Sequence, residues 1–292
     1  MKTQIHSGLA PVADRYDGFV VDLWGTLHDG VGPLPGAREC LARLHETGKG
    51  VVLLSNVPQR TSTAEERLTR MGIARGLYDH LWTSGEEVWQ LLAERADPWY
   101  RALGRRCFYL GPERHRGMTE NPGFDRVDRL AEADFILCTG FLDEHDMTIS
   151  SHVSVLREAA SGRLPLICAN PDFEVIRGGV RELCAGALAR HYEEELGGAV
   201  RWHGKPYRSV YDRSLRLLDL DRPARALMIG DSLRTDMAGA GEVGMSSAFV
   251  VGGIYAEGLG VEAGEMPPTA DLEALFAKDG LRPDLVLPML VW

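Results

Sequence analysis

The sequence predicts an α/β fold built on a parallel β-sheet. Seven short apolar runs recur along the 292-residue chain, and most of them are continuous rather than alternating. Continuous runs of this kind are typical of strands that are buried on both faces of a parallel sheet. Stretches with helical spacing separate the runs, and such alternation is the pattern of α/β proteins.

Each predicted element follows from a local pattern. The apolar runs that end in small or polar residues predict strands at Gly18–Asp22, Gly50–Ser55, Cys107–Gly111, Phe135–Gly140, Leu164–Asn170, Ala226–Asp231 and Ser247–Val251. The intervening segments predict helices at Pro35–Thr47, Thr61–Met71, Ser84–Glu94, Ser150–Ser161, Arg181–Leu196, Pro206–Leu218, Asp236–Val243 and, after a Gly- and Pro-rich loop, Ala270–Lys278. Thr61 or Ser62 is placed to cap its helix, and Gly72 to end it.

Composition places the chain among folded globular proteins. Hydrophobic residues make up 45% and charged residues 25%, which suits one large or two medium domains. The net charge of −10 disfavours non-specific nucleic-acid binding, because such binding needs a basic face. A small anionic substrate remains compatible with this charge, since a metal ion and a few local cations can outweigh it.

Cysteine usage and hydropathy predict a cytoplasmic, soluble protein. The five cysteines form no CxxC pair, and three of them lie in apolar, strand-like runs, so we expect buried, reduced thiols. The first residues lack the apolar stretch of a secretion signal. No run approaches the ~18 apolar residues of a membrane span.

Four segments carry candidate chemistry, and each lies at the carboxyl end of a predicted strand or just before a helix. Open α/β sheets form their active sites there. Asp22 ends the first strand and can act as a nucleophile or hold a cation. Ser55 and Asn56 end the second strand and can donate hydrogen bonds to phosphoryl oxygens. Taken singly, each of these residues also suits a turn or a helix cap.

The other two segments lie late in the chain. Lys205 stands between Gly204 and Pro206, where a constrained turn can present a fixed cation to a phosphate, although a solvated lysine is the simpler alternative. Asp231 and Asp236 flank a short loop after an apolar strand. Two acids this close suit an oxygen-ligated cation such as Mg2+.

Together, the four segments resemble the motifs of the haloacid dehalogenase (HAD) superfamily. Asp22, Ser55, Lys205 and the GDSLRTD segment match these motifs in order, and the resemblance extends over nearly the whole chain. The ANPDF segment (169–173) and the GKP segment (204–206) are similar to signatures of subclass IIA, the p-nitrophenylphosphatase and nucleotide-phosphatase type. The resemblance implies a doubly wound, Rossmann-like core at 1–84 and 200–292, with an α/β cap of the C2 type inserted at 85–199.

The resemblance also implies a Mg2+-dependent phosphatase mechanism. Asp22 would attack a phosphomonoester and form an aspartyl-phosphate, which water then cleaves. Mg2+ would be held by Asp22, the backbone carbonyl of Trp24 and Asp231, with Asp236 as a ligand or a nearby partner. Ser55 and Lys205 would hold the phosphoryl oxygens.

One position departs from this pattern. Most phosphatases of the superfamily carry a second Asp two residues after the nucleophile as the general acid and base, and here that residue is Trp24. Indole cannot serve as a proton carrier, so we expect slow turnover or a replacement acid, with His28 and Asp29 as candidates. Trp24 itself either shapes the leaving-group pocket or belongs to the core.

The cap is expected to select the substrate. Asn170 and Asp172 are candidate substrate contacts, and Arg177 is a further candidate cation, although each also suits a turn. The expected substrate is a sugar phosphate, a nucleotide or a cofactor phosphate, and the resemblance favours a homodimer. The alternatives are a weakly catalytic phosphate-binding or regulatory protein, phosphoryl transfer to another acceptor, and a dehalogenase. The paired acids at 231 and 236 argue against the last, which needs no metal.

Overall fold

Two parallel sheets organise the computed structural model, which describes residues 3–120, 123–143 and 145–292. The strands are, in chain order, β1 (Gln4–Ile5), β2 (Gly18–Asp22), β3 (Gly50–Ser55), β4 (His80–Thr83), β5 (Arg106–Leu110), β6 (Asp125–Val127), β7 (Phe135–Cys138), β8 (Leu166–Cys168), β9 (Glu174–Arg177), β10 (Val180–Leu183), β11 (Val200–Trp202), β12 (Ala226–Gly230), β13 (Ser246–Val250) and β14 (Leu285–Leu287).

The helices connect and cover these strands. They are α1 (Ala37–Glu46), α2 (Thr61–Arg70), α3 (Ser84–Glu94), α4 (Pro98–Ala102), α5 (Val153–Ser161), α6 (Ala185–Glu194), α7 (Arg208–Leu217), α8 (Ala238–Val243), α9 (Ala256–Leu259) and α10 (Thr269–Asp279). None of the helices in the described ranges combines the length and the apolar character that crossing a bilayer requires.

The core sheet has seven parallel strands in the order β1-β14-β13-β12-β2-β3-β4. Strand β2, between β12 and β3, is buried along its whole length, and its alternate residues pack on opposite faces. Val20 joins a cluster that contains Val210 of α7, whereas Phe19 and Val21 join one that contains Leu41 of α1. The predicted doubly wound α/β core is therefore confirmed.

The second sheet is inserted in the chain between β4 and β12. Its five parallel strands lie in the order β11-β8-β7-β5-β6, with α5 and α6 packed on one face and α3 on the other. The short antiparallel hairpin β9-β10 projects from it. We call this inserted unit the cap. Strand β11 pairs with β8, so the cap sheet continues to residue 202, beyond the predicted end of the cap at 199.

Two local predictions are wrong. The predicted helix Arg181–Leu196 starts too early, because Gly178 and Gly179 adopt positive φ and fold 174–183 into the hairpin, so that α6 starts only at Ala185. Thr61 is the first residue of α2 rather than its cap, and Arg60 precedes the helix without a capping hydrogen bond.

Candidate active site

The carboxyl ends of three neighbouring core strands meet at one edge. Strand β2 lies between β12 and β3, so Asp22 at its end is flanked by Ser55 at the end of β3 and by Asp231 just after β12. Parallel strands bring such positions together irrespective of their distance in the sequence. The structure thus gathers the residues that the sequence singled out.

Three carboxylates converge there. One oxygen each from Asp22, Asp231 and Asp236 lies within 4.8 Å of the others, and all three residues are buried. Burial raises the pKa of Asp22 to about 7, with Lys205 opposing that rise and Asp236 adding to it. Burial and the neighbouring carboxylates raise the pKa of Asp231 well above its usual range. The cluster therefore stores like-charge repulsion that a cation would relieve.

Lys205 supplies one cation to this cluster. Its buried ammonium donates hydrogen bonds to Asp22 and, at 2.7 Å, to Oδ1 of Asp236. Burial alone would lower the pKa of Lys205, but attraction to Asp22 and Asp236 outweighs it and raises the pKa. Lys205 follows β11 of the cap by three residues, so it stands on the chain segment that links cap and core.

Asn56 holds the backbone of Lys205. Its Oδ1 accepts a hydrogen bond from the Lys205 N–H at 2.7 Å, and its Nδ2 donates to the Lys205 carbonyl at 3.1 Å and to Asp172 at 2.9 Å. Its amide is thus engaged at both ends, in contrast to the donor to phosphoryl oxygens that the sequence analysis expected. Ser55 lines the cavity, and its Oγ accepts a hydrogen bond from the Val57 N–H at 3.2 Å.

Two glycines make room for Asp231. A Cβ on Gly25 or on Gly253 would overlap its Oδ2 atom, and Gly25 also has φ of +73°. That same oxygen accepts a hydrogen bond from the Ile254 N–H at 2.7 Å. The Gly in the LWGTL segment is therefore needed both for its backbone conformation and for its missing side chain.

The candidate replacement acids have local structural roles. His28 is buried, its Nδ1 accepts a hydrogen bond from the Gly30 N–H at 3.0 Å, and its ring packs edge-to-face on Trp24. Burial, reinforced by Arg67, lowers the pKa of His28 to about 4, so the ring is neutral at neutral pH. The Asp29 carboxylate accepts hydrogen bonds from the N–H groups of residues 31 and 32.

Trp24 is partly buried and lies between core and cap. Trp24 lines the cavity over Asp22, and the guanidinium carbons of Arg67 and Arg177 lie 5.1 and 4.9 Å from its ring centroid. Because Arg177 belongs to the cap hairpin, Trp24 joins the core to the cap. The predicted cation Arg177 lies against the indole and donates to Glu182 at 2.9 Å.

A cavity of about 620 Å3 separates core and cap above Asp22. Asp172 lines it, and its carboxylate lies 3.6 Å from Arg234. Asn170 is nearly buried, and its Oδ1 accepts a hydrogen bond from the Asp172 N–H at 3.0 Å, which is the geometry of an Asx turn. The amide of Asn170 thus shapes the loop that presents Asp172.

The sequence analysis missed an aromatic residue between two cations. Phe173 lines the same cavity, with the guanidinium carbons of Arg190 and Arg234 at 4.2 and 4.1 Å from its ring centroid. Arg234 also donates to the carbonyl of Pro171 at 3.1 Å, which ties the core loop to the cap. The Phe in the ANPDF segment was the available signal.

We call Asp22, Asp231, Asp236 and Lys205 the acid–lysine cluster. Together with the core sheet and the inserted cap, this cluster defines a capped enzyme with a Rossmann-like α/β core. Residues 19–125 match the family model described as haloacid dehalogenase-like hydrolase, and residues 202–290 match a HAD-hydrolase-like model. A haloacid dehalogenase-like hydrolase from Brucella suis 1330 is 32% identical, with a TM-score of 0.83 over 98% of this chain and 100% of that one. The chain belongs to the haloacid dehalogenase-like hydrolases, in subclass IIA, and is an enzyme of their phosphatase type.

Two curated relatives extend the comparison. Human chronophin is 28% identical over 260 residues, which cover 85% of each chain. Chicken glycerol-3-phosphate phosphatase is 27% identical over 263 residues, which cover 83% of this chain and 82% of the relative. The similarity therefore spans both the core and the cap.

Proposed function

We propose that the protein hydrolyses a small phosphomonoester through an aspartyl-phosphate at Asp22, with Mg2+ as cofactor. The observation that carries this proposal is the contact of a buried carboxylate with a buried lysine at the floor of the cavity. A nucleophile in that position faces the cavity, while Lys205 supplies positive charge toward an incoming phosphoryl group.

The residues present suit Mg2+. The cluster offers three carboxylate oxygens, the ligand type that this hard cation prefers. Burial, and then the charge of neighbouring carboxylates, raises the pKa values of Asp22 and Asp231. Asp22, Asp231 and the backbone carbonyl of Trp24 would hold the ion, with Asp236 as a further ligand or a nearby partner. Bound Mg2+ would supply the positive charge that offsets repulsion between Asp22 and an anionic substrate.

The other side chains of the site bind the substrate and carry out the reaction. Ser55 and Lys205 hold phosphoryl oxygens, and Asn56 keeps Lys205 in place through its backbone. Asp22 attacks phosphorus, the bond to the ester oxygen breaks, and water later cleaves the aspartyl-phosphate and releases phosphate. The departing alkoxide needs a proton that Trp24 cannot give, so we expect low turnover on esters with poor leaving groups.

The cavity limits the substrate to a small phosphorylated metabolite. Its volume of about 620 Å3 lies within the range of small-molecule sites. Sugar phosphates, nucleotides and cofactor phosphates all fit this range. The name of the chicken relative, which refers to glycerol 3-phosphate, supports a small substrate. A cytoplasmic location and a homodimer stay predictions.

The test is a phosphate-release screen over phosphorylated metabolites with and without Mg2+. Asp22→Asn should abolish release, whereas Thr83→Val, which removes buried hydrogen bonds away from the acid–lysine cluster, should retain it. Release that persists in Asp22→Asn, or that does not respond to metal, would contradict the proposed mechanism.

A second candidate is a phosphate-ligand-binding protein with little catalysis. The observation in its favour is that Trp24 occupies the usual acid position while His28 and Asp29 are engaged in their own loop. This candidate predicts tight equilibrium binding of a phosphorylated ligand without turnover. Calorimetric titration of the same metabolite panel separates the two functions.

A further inference from the structure

A second, smaller cavity adjoins the catalytic one. Its volume is about 70 Å3, and Trp24 and Asp172 line both cavities. Three arginines from different segments also line it: Arg67 of α2, Arg114 from the turn after β5, and Arg177 of the hairpin strand β9. Core and cap thus contribute cations to one small space.

These cations raise the local potential. Burial lowers the pKa of Arg67, and the charges of Arg177 and Arg114 lower it further. His115, which lines the same cavity, has its pKa lowered to about 3, first by burial and then by Arg114, with smaller effects of Arg177 and Arg67. Gathering like charges out of bulk water is unfavourable, so the arrangement favours an anion.

Arg67 and Arg177 are held by different kinds of group. Arg67 donates to the neutral carbonyl of Gly30 at 3.1 Å, and Trp24 provides the aromatic face against which Arg67 and Arg177 rest. Among the described lining residues, the acids are Asp172 and Glu182. Glu182 accepts from Arg177, whereas Asp172 accepts from Asn56 and lies near Arg234.

The size of the cavity limits what it can take. A cavity of about 70 Å3 has room for a few waters or one small oxyanion, against about 620 Å3 in the catalytic cavity. A whole sugar phosphate does not fit. Guanidinium groups match the oxygens of phosphate, sulfate and carboxylate by paired hydrogen bonds.

We propose that this cavity is an oxyanion site, in which Arg67, Arg114 and Arg177 bind a phosphate, sulfate or carboxylate group. The group comes either from a substrate that carries a second acid function besides the phosphoryl group at Asp22, or from a separate small anion. The first source rests on the proposed phosphatase function, whereas binding of a separate anion does not, because the three arginines lie outside the acid–lysine cluster.

The first experiment is a calorimetric titration of the full chain with inorganic phosphate and with sulfate, in metal-free Tris buffer at constant ionic strength. Wild-type protein should bind the anion, and Arg67→Gln and Arg177→Gln should each raise its Kd by about tenfold or more. Arg70→Gln is the matched control, since Arg70 is an exposed residue of the same helix that donates to the Glu66 carbonyl. Ser55→Ala reports on binding in the catalytic cavity.

Three results would overturn the proposal. They are no binding by wild-type protein at millimolar anion, equal weakening by Arg70→Gln, and loss in Ser55→Ala with full binding in Arg67→Gln. Thermal unfolding without anion checks that each variant is folded, and the anion-induced rise in Tm provides a second measure of affinity. If Arg67→Gln does not fold, Arg177→Gln on the hairpin decides the matter.

A second experiment identifies the source of the anion. Glycerol 3-phosphate and 3-phosphoglycerate differ in the second acid group, so their KM values are compared in wild type and Arg177→Gln. A KM increase confined to 3-phosphoglycerate assigns the site to the substrate. Unchanged KM values together with a sulfate-induced Tm rise that Arg177→Gln removes assign it to a separate anion. If neither ester is hydrolysed, the phosphatase proposal is decided by the wider metabolite screen, while the titration still decides the oxyanion site.

Discussion

Replacement of Asn56 by Ala removes the support of Lys205. The side chain makes three hydrogen bonds, with both backbone groups of Lys205 and with Asp172. At about 0.5–1.5 kcal/mol for each, the loss of these three hydrogen bonds should lower the free energy of unfolding by about 1.5–4.5 kcal/mol. A shift of the Lys205 ammonium by about 1 Å would lower kcat up to about 100-fold.

The assay separates these two effects. Chemical unfolding gives the stability change, and phosphate release under saturating substrate and Mg2+ gives kcat. Thr83→Val is the matched control: its buried hydroxyl donates to the Gln59 carbonyl at 2.6 Å and accepts from the Glu86 N–H at 2.9 Å, so it loses stability without contacting Lys205. The reasoning is refuted if Asn56→Ala keeps wild-type kcat, or if Thr83→Val at equal stability loses as much activity.

Three further predictions follow from Trp24, His28 and Gly25. Trp24→Asp should raise kcat for alkyl phosphates by about 100-fold, the lower end of the effect of a general acid, because Arg67 lowers the pKa of a carboxyl at this position. The kcat for p-nitrophenyl phosphate should rise less, and an equal rise in Trp24→Asn would refute an acid role. Because the pKa of His28 is lowered to about 4, the unfolded state binds more protons than the folded state between pH 6.5 and about 4. The free energy of unfolding should therefore decrease by up to ~3 kcal/mol as the pH is lowered through this window, and the acid unfolding of His28→Gln should lack this contribution. Gly25→Ala should weaken Mg2+ binding and activity, because the added Cβ overlaps Asp231. The control Gly260→Ala has a similar positive φ but open space around the added Cβ, so it should lose only the ~1–2 kcal/mol of stability that backbone strain costs. Similar Mg2+ titrations of the two variants would contradict this prediction.

The strands that carry the catalytic residues could be predicted because of where they are buried. β2, β3 and β12 are covered on both faces, which requires continuous apolar runs, and the polar residues that follow them mark the active edge. The short hairpin β9-β10 escaped prediction. Its residues are half-buried or exposed, and neither face of the hairpin is fully covered. The sequence therefore shows no alternation of apolar and polar residues that would predict its strands.

Roles that depend on partners far away in the chain could not be predicted from the sequence. The partner of Asn56 is 149 residues away in the chain, and no local pattern relates its amide to the backbone of Lys205. Likewise, the sequence identified Trp24 as a departure from the usual acid, but only the structure shows the two guanidiniums beside its ring. By contrast, Asp22 and Asp231 could be placed together because parallel strands align their ends.

The place of Lys205 on the linker after β11 couples chemistry to access. The other linker enters α3, where Ser84 donates to the Ala169 carbonyl of the cap and Glu87 lies 3.1 Å from Nδ1 of His203, two residues before Lys205. Because Asn56 of the core also holds the backbone of Lys205, both linkers are fastened beside the catalytic residues, and the position of the Lys205 ammonium depends on how cap and core are joined.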